Sequence, residues 1–416
     1  MDIRIQPQKL RGSITPPPSK SQAHRLIMAA ALAEGESRIS NVAFSQDILA
    51  TLSCVEQLGA VWKKIDQSTI TIDGLGKGKP ILQSDRLVHF DCGESGSTLR
   101  FLIPIALAVA GGGIFTGHGR LMERPQKPYF DVFDKKGISY QLQDGSLTVC
   151  GTLKSGEYAL AGNVSSQFFT GLLYALPYVD GTSLLRSTTA LESQSYIDMT
   201  IDALQKCGIA VEESDGEYPV FKLKGKQPYC AFEGAVEADW SQAGFYYAAL
   251  GLGNTLSITG MNQNSMQGDR KVADYYEQLC AEGEVELDVG DCPDLVPPLA
   301  VQAALRPDHT VTRIVHAERL RMKESDRLSA VREVLNAMGA QVKELSDGLV
   351  ICGVDMLHGG CAVDAHNDHR IAMMAAMAAS RCAESVTIVG AECVKKSYPN
   401  FWEDYEALGG KITREG

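Results

Sequence analysis

The chain predicts an α/β protein built from six copies of one cassette, arranged as two groups of three. Three observations carry this. A short polar or glycine-containing motif opens an apolar, alanine-rich helix at Ser19-Lys20-Ser21, Gly93-Glu94-Ser95-Gly96-Ser97, Ser165-Ser166-Gln167, Asp239-Trp240-Ser241, Asp291-Cys292-Pro293-Asp294 and Asn367-Asp368-His369-Arg370. A second, amphipathic helix stops at Gly59, Gly137, Gly208, Gly283, Gly339 and Gly409, and a strand follows each stop. Both series repeat every ~55–78 residues, and both have their short interval between the fourth and fifth copies. Helix N-termini carry unpaired N–H groups and partial positive charge, so converging openings would suit a multiply charged anion.

The elements follow in order. Met1-Asp2-Ile3-Arg4-Ile5 reads as a strand with no helix of its own, so the chain is expected to begin in the C-terminal domain and cross over. Pro16-Pro17-Pro18 and Glu237-Ala238-Asp239 are the hinge candidates. The expected domains are 13–235 and 1–12 plus 236–416, with the active site in the cleft between them. In the first cassette, Leu26 to Leu32 is apolar nearly all round and reads as buried. Ile48, Leu52, Val55 and Leu58 then recur at helical spacing before a strand at Ala60-Val61-Trp62. The second cassette has the apolar helix Ile103 to Ala110, a glycine-rich loop from Gly111 to Gly119, and a strand at Ile138-Ser139-Tyr140. The third ends in a strand at Ala210-Val211-Glu212. The fourth has its buried helix at Phe245 to Leu250 and a strand at Val285-Glu286-Leu287; the short interval between the fourth and fifth suggests a trimmed copy in the second half. Leu328, Val331, Val334 and Leu335 give the fifth its amphipathic helix, with a strand at Gln341-Val342-Lys343. Ile371 to Ala379 and a strand at Lys411-Ile412-Thr413 complete the sixth.

Composition narrows the function. A chain of 416 residues is long enough for two or three domains. The formal net charge of −12 argues against a nucleic-acid-coating surface. The eleven cysteines are scattered with no Cys-x-x-Cys pair, so a zinc or thioredoxin-like reading lacks support and no metal is expected. The longest apolar run, Phe101 to Phe115, contains Pro104 and falls short of the ~20 residues that span a bilayer. No N-terminal apolar signal is present, and a cytoplasmic enzyme is expected. No P-loop and no Gly-x-Gly-x-x-Gly at a strand–helix turn occurs, which disfavours ATP and nicotinamide chemistry.

The charged motifs sit where buried helices begin. Ser19-Lys20-Ser21-x-x-x-Arg25 places two cations there, an expensive arrangement unless an anion meets them. Taken alone it also reads as a solvated helix start. Glu123-Arg124-Pro125 is a turn with either an exposed or an anion-binding arginine. Ser165-Ser166-Gln167 is an N-cap, a phosphate or hydroxyl binder, or both. Lys323-Glu324-Ser325-Asp326-Arg327 is a salt-bridged helix start or a site. Asp294 is an N-cap or a base. Together the motifs supply Lys20, Arg25, Arg124, Lys323, Arg327, Arg370 and Lys396, with Asp294, Glu324 and His369 among them. That inventory suits a substrate carrying carboxylate and phosphate, plus proton transfer.

In this order, these motifs resemble the 5-enolpyruvylshikimate-3-phosphate synthases (3-phosphoshikimate 1-carboxyvinyltransferases) of the enolpyruvyl transferase family. The pieces are Pro18-Ser19-Lys20-Ser21-x-x-x-Arg25, Gly93-x-x-Gly96-x-x-x-Arg100, Glu123-Arg124-Pro125, Ser165-Ser166-Gln167, Asn264-Ser265-Met266-Gln267-Gly268-Asp269, Lys323-Glu324-Ser325-Asp326-Arg327 and Asn367-Asp368-His369-Arg370, so the likeness runs from Gln6 to Pro399. The resemblance implies two domains of three βαβαββ units with buried parallel helices, an inside-out α/β barrel. It implies transfer of the enolpyruvyl group of phosphoenolpyruvate to the 5-hydroxyl of shikimate 3-phosphate with release of phosphate, a step towards chorismate and the aromatic amino acids. No cofactor or metal is implied; the partners are the two small substrates, without nucleic acid or membrane, and a monomer is expected.

By the same resemblance, Lys20, Gly96, Arg124, Gln167, Arg327, Arg370 and Lys396 hold phosphoenolpyruvate. Lys20, Ser21, Arg25, Ser165, Ser166, Gln167, Ser193, Tyr196, Asp294 and Lys323 hold shikimate 3-phosphate. Asp294 is the candidate base for the hydroxyl, Glu324 the candidate for proton exchange at C3, with Lys20 and His369 in the catalytic set. The chain departs from the common pattern at Glu94, Ser97, Phe101 and Arg319, where many members have Asn, Thr, Pro and Asn. Gly96 is retained, which leans towards glyphosate sensitivity. The alternative is the enolpyruvyl transferase acting on UDP-N-acetylglucosamine. That enzyme carries a Lys-Asn pair and a loop cysteine, where this chain has Lys20-Ser21 and no cysteine between Gly111 and Arg124.

Overall fold

The computed structural model describes residues 1–76, 87–214, 217–307 and 309–415. The chain forms two compact units, one of residues 18–237 and one of residues 1–17 with 238–416. The crossings fall at Pro17–Pro18 and Glu237–Ala238, later than the expected limits at 12 and 235. The reason is a strand, Arg11–Ile14, which pairs in parallel with Thr255–Ile258 and so keeps the chain in the second unit until the prolines.

The described residues form twelve α-helices, two per cassette: α1 (Lys20–Leu32), α2 (Gln46–Gln57), α3 (Gly96–Val109), α4 (Lys127–Lys136), α5 (Ser166–Ala175), α6 (Gln194–Lys206), α7 (Trp240–Gly251), α8 (Val272–Cys280), α9 (Val296–Ala304), α10 (Arg327–Ala337), α11 (His369–Ala379) and α12 (Phe401–Ala407). Each complete cassette adds a four-stranded sheet. In the second, Val88–Asp91 pairs in parallel with Gly112–Thr116, which pairs antiparallel with Ser146–Cys150, itself antiparallel to Ser139–Gln143. Helix α3 joins the first two strands and α4 joins the second to the hairpin, giving β-α-β-α-β-β. The third and fifth cassettes repeat this order. The first borrows its opening strand from Glu233–Ala235, at the far end of its own unit. The sixth takes its closing strand from Asp2–Gln6, paired with Val386–Val389 and Lys411–Glu415.

The short interval predicts a trimmed copy in the second half, and that copy is the fourth. Its sheet has two strands, Arg11–Ile14 and Thr255–Ile258. Val285–Asp288, expected to close it, instead opens the fifth by pairing with Val311–Val315. The second cassette corrects another expectation. Gly112–Thr116 is a strand, not part of a loop. A Cβ on Gly112 would lie 2.0 Å from the Val149 carbonyl oxygen, and one on Gly113 would lie 2.6 Å from the Phe90 ring. Close strand approach therefore explains the glycines. The sheets are separate and open, and none closes into a barrel among the described residues.

The odd-numbered helices form the cores. Every residue of α11 is buried, and α7, α9 and α11 pack on one another. In the other unit α3 packs on both α1 and α5. Each large apolar side chain buried here contributes about 1.5–3 kcal/mol. The amphipathic helices cover these cores through the residues their spacing picked out, including Ile48, Leu52, Val55, Leu328, Val331 and Leu335. All six stop glycines have positive φ, and Gly137, at 68°, is itself the left-handed cap of α4. Among the described residues no helix is long and apolar enough to cross a membrane.

Candidate active site

In the second unit the openings of α9, α10 and α11 bring their charges together. Asp294 lies in a short 3-10 turn ahead of α9. Its Oδ1 accepts from Arg327 Nη1 at 2.8 Å, and its Oδ2 accepts from Arg370 Nη2 at 3.0 Å. Lys323 Nζ stands 3.7 Å from Oδ1. The carboxylate is thus engaged with side chains and does not cap α9, which removes the N-cap reading.

Arg327, 1% exposed, is the hub. Besides Asp294 it donates to Glu324 Oε2 at 2.6 Å and, through Nε, to Asp368 Oδ2 at 2.7 Å. Asp368 is fully buried; it caps α11 by accepting Arg370 N–H at 3.0 Å and accepts the Ser325 hydroxyl at 3.0 Å. Arg370 also donates to Ser241 Oγ at 2.9 Å. Lys396 donates to the Asn367 carbonyl at 2.7 Å, and buried His369 lies 3.9 Å from Asp368.

Lys323, Arg327 and Arg370 thus face Asp294, Glu324 and Asp368, and the helix-opening cations already have partners within the chain. Burial alone would raise the Asp294 carboxyl, but Arg370, Lys323 and Arg327 outweigh burial and the opposing Glu324 charge. They hold it well below the usual carboxylate range. Burial lowers the Lys323 ammonium; Asp294 opposes that shift, and Arg327 adds to it. An anionic substrate arriving here must share Arg327 and Arg370 with Asp294.

The first unit holds a second set. Ser19 caps α1, and Lys20, at its first turn, donates to Asp47 Oδ2 on α2 at 2.6 Å. Arg25, one turn deeper, donates to the Tyr196 carbonyl at 3.1 Å, Thr200 Oγ1 at 2.9 Å and the Ser21 carbonyl at 2.8 Å. Its guanidinium lies over the Phe101 and Tyr196 rings, and burial lowers its pKa to about 10. Ser165 caps α5 through the Gln167 N–H at 3.3 Å, with Ser166 buried beside it. Gln167 joins α5 to α3, accepting from Arg100 at 2.8 Å and donating to Ser97 Oγ at 3.0 Å. Arg124 is buried rather than an exposed turn residue. A Cβ on Gly96 would lie 2.9 Å from its Nη1 and 3.6 Å from Gln167 Oε1. Buried Ser193 precedes α6 with a left-handed φ of 58°.

The expected residues therefore form two local sets. Lys20, Ser21, Arg25, Gly96, Arg124, Ser165, Ser166, Gln167, Ser193 and Tyr196 belong to one unit. Asp294, Lys323, Glu324, Arg327, His369, Arg370 and Lys396 belong to the other. Sequence reasoning assigned no role to Asp47, Arg100, Ser241 or Asp368. Arg100, Ser241 and Asp368 stand inside quoted motifs, and their position at helix openings was the available signal. Nothing local marks Asp47, because its partner Lys20 is 27 residues away.

The chain matches the EPSP synthase (3-phosphoshikimate 1-carboxyvinyltransferase) family over residues 5–405. It is 43% identical to a 3-phosphoshikimate 1-carboxyvinyltransferase of Clostridium perfringens, with 99% of each chain covered. It is 45% identical to that of Clostridium acetobutylicum, covering 99% of this chain and 98% of the relative. A solved structure of EPSP synthase from Acinetobacter baumannii superposes with a TM-score of 0.80 at 24% identity, covering 99% of this chain and 100% of that one, which bears on the fold. With the family matched from end to end, and close relatives aligned over nearly the whole length, the chain belongs to the EPSP synthases.

Proposed function

We propose that this enzyme transfers the enolpyruvyl group of phosphoenolpyruvate to the 5-hydroxyl of shikimate 3-phosphate, releasing phosphate. The observation that carries this reading is Asp294 held between Arg327, Arg370 and Lys323, a carboxylate set among cations at buried helix openings. Such a group can take a hydroxyl proton while its neighbours hold an anion. Phosphoenolpyruvate is bound by Arg327, Arg370 and Lys396, and by Lys20, Gly96, Arg124 and Gln167. Ser21, Arg25, Ser165, Ser166, Gln167, Ser193 and Tyr196 bind shikimate 3-phosphate, together with Lys20, Asp294 and Lys323.

The 5-hydroxyl oxygen adds to C2 of phosphoenolpyruvate and its proton passes to Asp294. Glu324 takes up a proton as phosphoenolpyruvate draws Arg327 from it and passes that proton to C3, giving a tetrahedral ketal. The C2–O bond to phosphate then breaks, the C3 proton returns to Glu324, the proton held by Asp294 leaves with the phosphate, and Lys20 steadies that phosphate, with His369 beside this chemistry. In the free enzyme Asp294 is a weak base because its cations hold its pKa down. Phosphoenolpyruvate draws on the same cations, so its arrival restores the basicity of Asp294. We also take the enzyme to work as a cytoplasmic monomer without nucleic-acid or membrane partners, in keeping with its net charge of −12.

The test is phosphate release from phosphoenolpyruvate with shikimate 3-phosphate or UDP-N-acetylglucosamine as acceptor. Release with shikimate 3-phosphate alone is expected. Release with the sugar nucleotide alone would overturn the acceptor assignment, and release with neither would overturn the reaction.

A further inference from the structure

A line of buried polar groups runs beneath the openings of α1, α2 and α3. Two rungs join α1 to α2. The outer is Lys20 to Asp47 at 2.6 Å; the inner is His24 Nδ1 to Thr51 Oγ1 at 2.7 Å. His24 follows Lys20 by four residues and Thr51 follows Asp47 by four, so the inner rung lies one helical turn below the outer. Thr51 Oγ1 is 2.7 Å from Thr98 Oγ1 on α3. The Thr98 hydroxyl donates to Ser95 Oγ at 2.7 Å, and Ser95 caps α3 by accepting the Thr98 N–H at 3.1 Å. The line ends at the residue before Gly96.

The protons can be assigned. His24 is fully buried, and its Nε2 has no hydrogen-bond partner among the described residues. A proton on Nε2 would be an unmet buried donor, so the proton sits on Nδ1 and donates to Thr51. Burial, then the charges of Lys20 and Arg25, keep the ring neutral. Thr51 accepts from His24; with the Thr98 proton given to Ser95, the proton between Thr51 and Thr98 is that of Thr51, and the Asp47 carbonyl, at 3.1 Å, is the more distant acceptor. His24 is thus the fixed donor that orients the hydroxyls after it. A ring serving only to fill space would need no such line.

We infer that His24 is a positioning residue of the phosphoenolpyruvate half-site: through Thr51, Thr98 and Ser95 it fixes the opening of α3 at Gly96 relative to Lys20 and Asp47. This rests on the reading that Lys20 and Gly96 contact phosphoenolpyruvate. Among the described residues, the hydrogen bonds of His24, Thr51, Thr98 and Ser95 stay within α1, α2 and the opening of α3, and none reaches Ser165, the cap of α5, or Ser166 and Gln167 on α5 or Tyr196 on α6. Loss of the His24–Thr51 rung, which leaves Lys20 paired with Asp47, should therefore weaken phosphoenolpyruvate more than shikimate 3-phosphate.

The test uses the full-length enzyme with His24→Leu, which removes the donor, Thr51→Val, which removes one hydroxyl with little change of shape, and His24→Asn, whose amide can donate in place of the ring. Phosphate release by the parent with both substrates is measured first. His24→Leu and Thr51→Val are expected to raise the KM for phosphoenolpyruvate by about tenfold, leaving the Kd for shikimate 3-phosphate within about twofold, and His24→Asn to recover most of the loss. Should His24→Leu fail to fold, Thr51→Val decides. A parent-like KM in Thr51→Val, or equal weakening of both substrates, overturns the inference while leaving the functional reading intact. A parent that releases no phosphate overturns both.

Discussion

Replacing Asp294 by Asn tests the chemistry and the electrostatics together. The carboxylate accepts from Arg327 at 2.8 Å and Arg370 at 3.0 Å. An amide of the same shape keeps one oxygen acceptor and turns an NH₂ donor towards the other guanidinium. One charge-assisted bond is lost, and about 2 kcal/mol of stability with it. For a unit of this size that lowers Tm by about 4–8 °C. Turnover should fall ~10²–10⁴-fold, since the amide cannot take the hydroxyl proton. Arg370, no longer neutralised by Asp294, should bind phosphoenolpyruvate at least as tightly as in the parent. The assay is steady-state phosphate release alongside calorimetric titration of each substrate. The pH dependence supplies an independent check. The folded pKa of Asp294 is depressed, so its stabilisation is present above the unfolded value of about 3.9 and is lost as pH falls below it. The Tm gap between parent and variant should therefore close on acidification through that range. Near-parent turnover in Asp294→Asn would refute the base assignment, and a gap that widens in acid would refute the electrostatic account.

Gly96→Ala places a methyl group 2.9 Å from Arg124 Nη1. The arginine tip must yield, so the KM for phosphoenolpyruvate should rise about tenfold while that for shikimate 3-phosphate holds; kinetics with each substrate varied will show it. Arg327→Met leaves Asp294, Glu324 and Asp368 without their shared guanidinium, a loss of about 3–5 kcal/mol that urea unfolding should read directly. Gly112→Ala drives a Cβ to 2.0 Å from the Val149 carbonyl oxygen, where backbone cannot yield cheaply. It should destabilise by about 3 kcal/mol in urea unfolding, although Gly112 belongs to no proposed binding set.

Much of this molecule was legible because repetition makes local signals reinforce one another. The polar openings, apolar helices and stop glycines each recur in register, and helix periodicity selected Ile48, Leu52, Val55, Leu328 and Val331 as core. The short interval announced a trimmed copy in the second half, but only the structure shows that it is the fourth, whose expected strand opens the fifth instead. The sequence also named nearly every charge in the proposed site, because a cation beginning a buried helix has few inexpensive explanations. Tertiary structure decided what those charges meet. Asp294 looks like a helix cap in sequence, but in space it bridges two arginines from α10 and α11. Lys20 finds Asp47, and His24 finds Thr51, each 27 residues on. Gly112 and Gly113 read as a loop because the close carbonyl and ring that require them belong to other strands. Local pattern follows from the period of a helix and the steric freedom of glycine, which one segment contains whole. Ion pairing, protonation and close approach depend on groups that folding alone brings within a few ångströms.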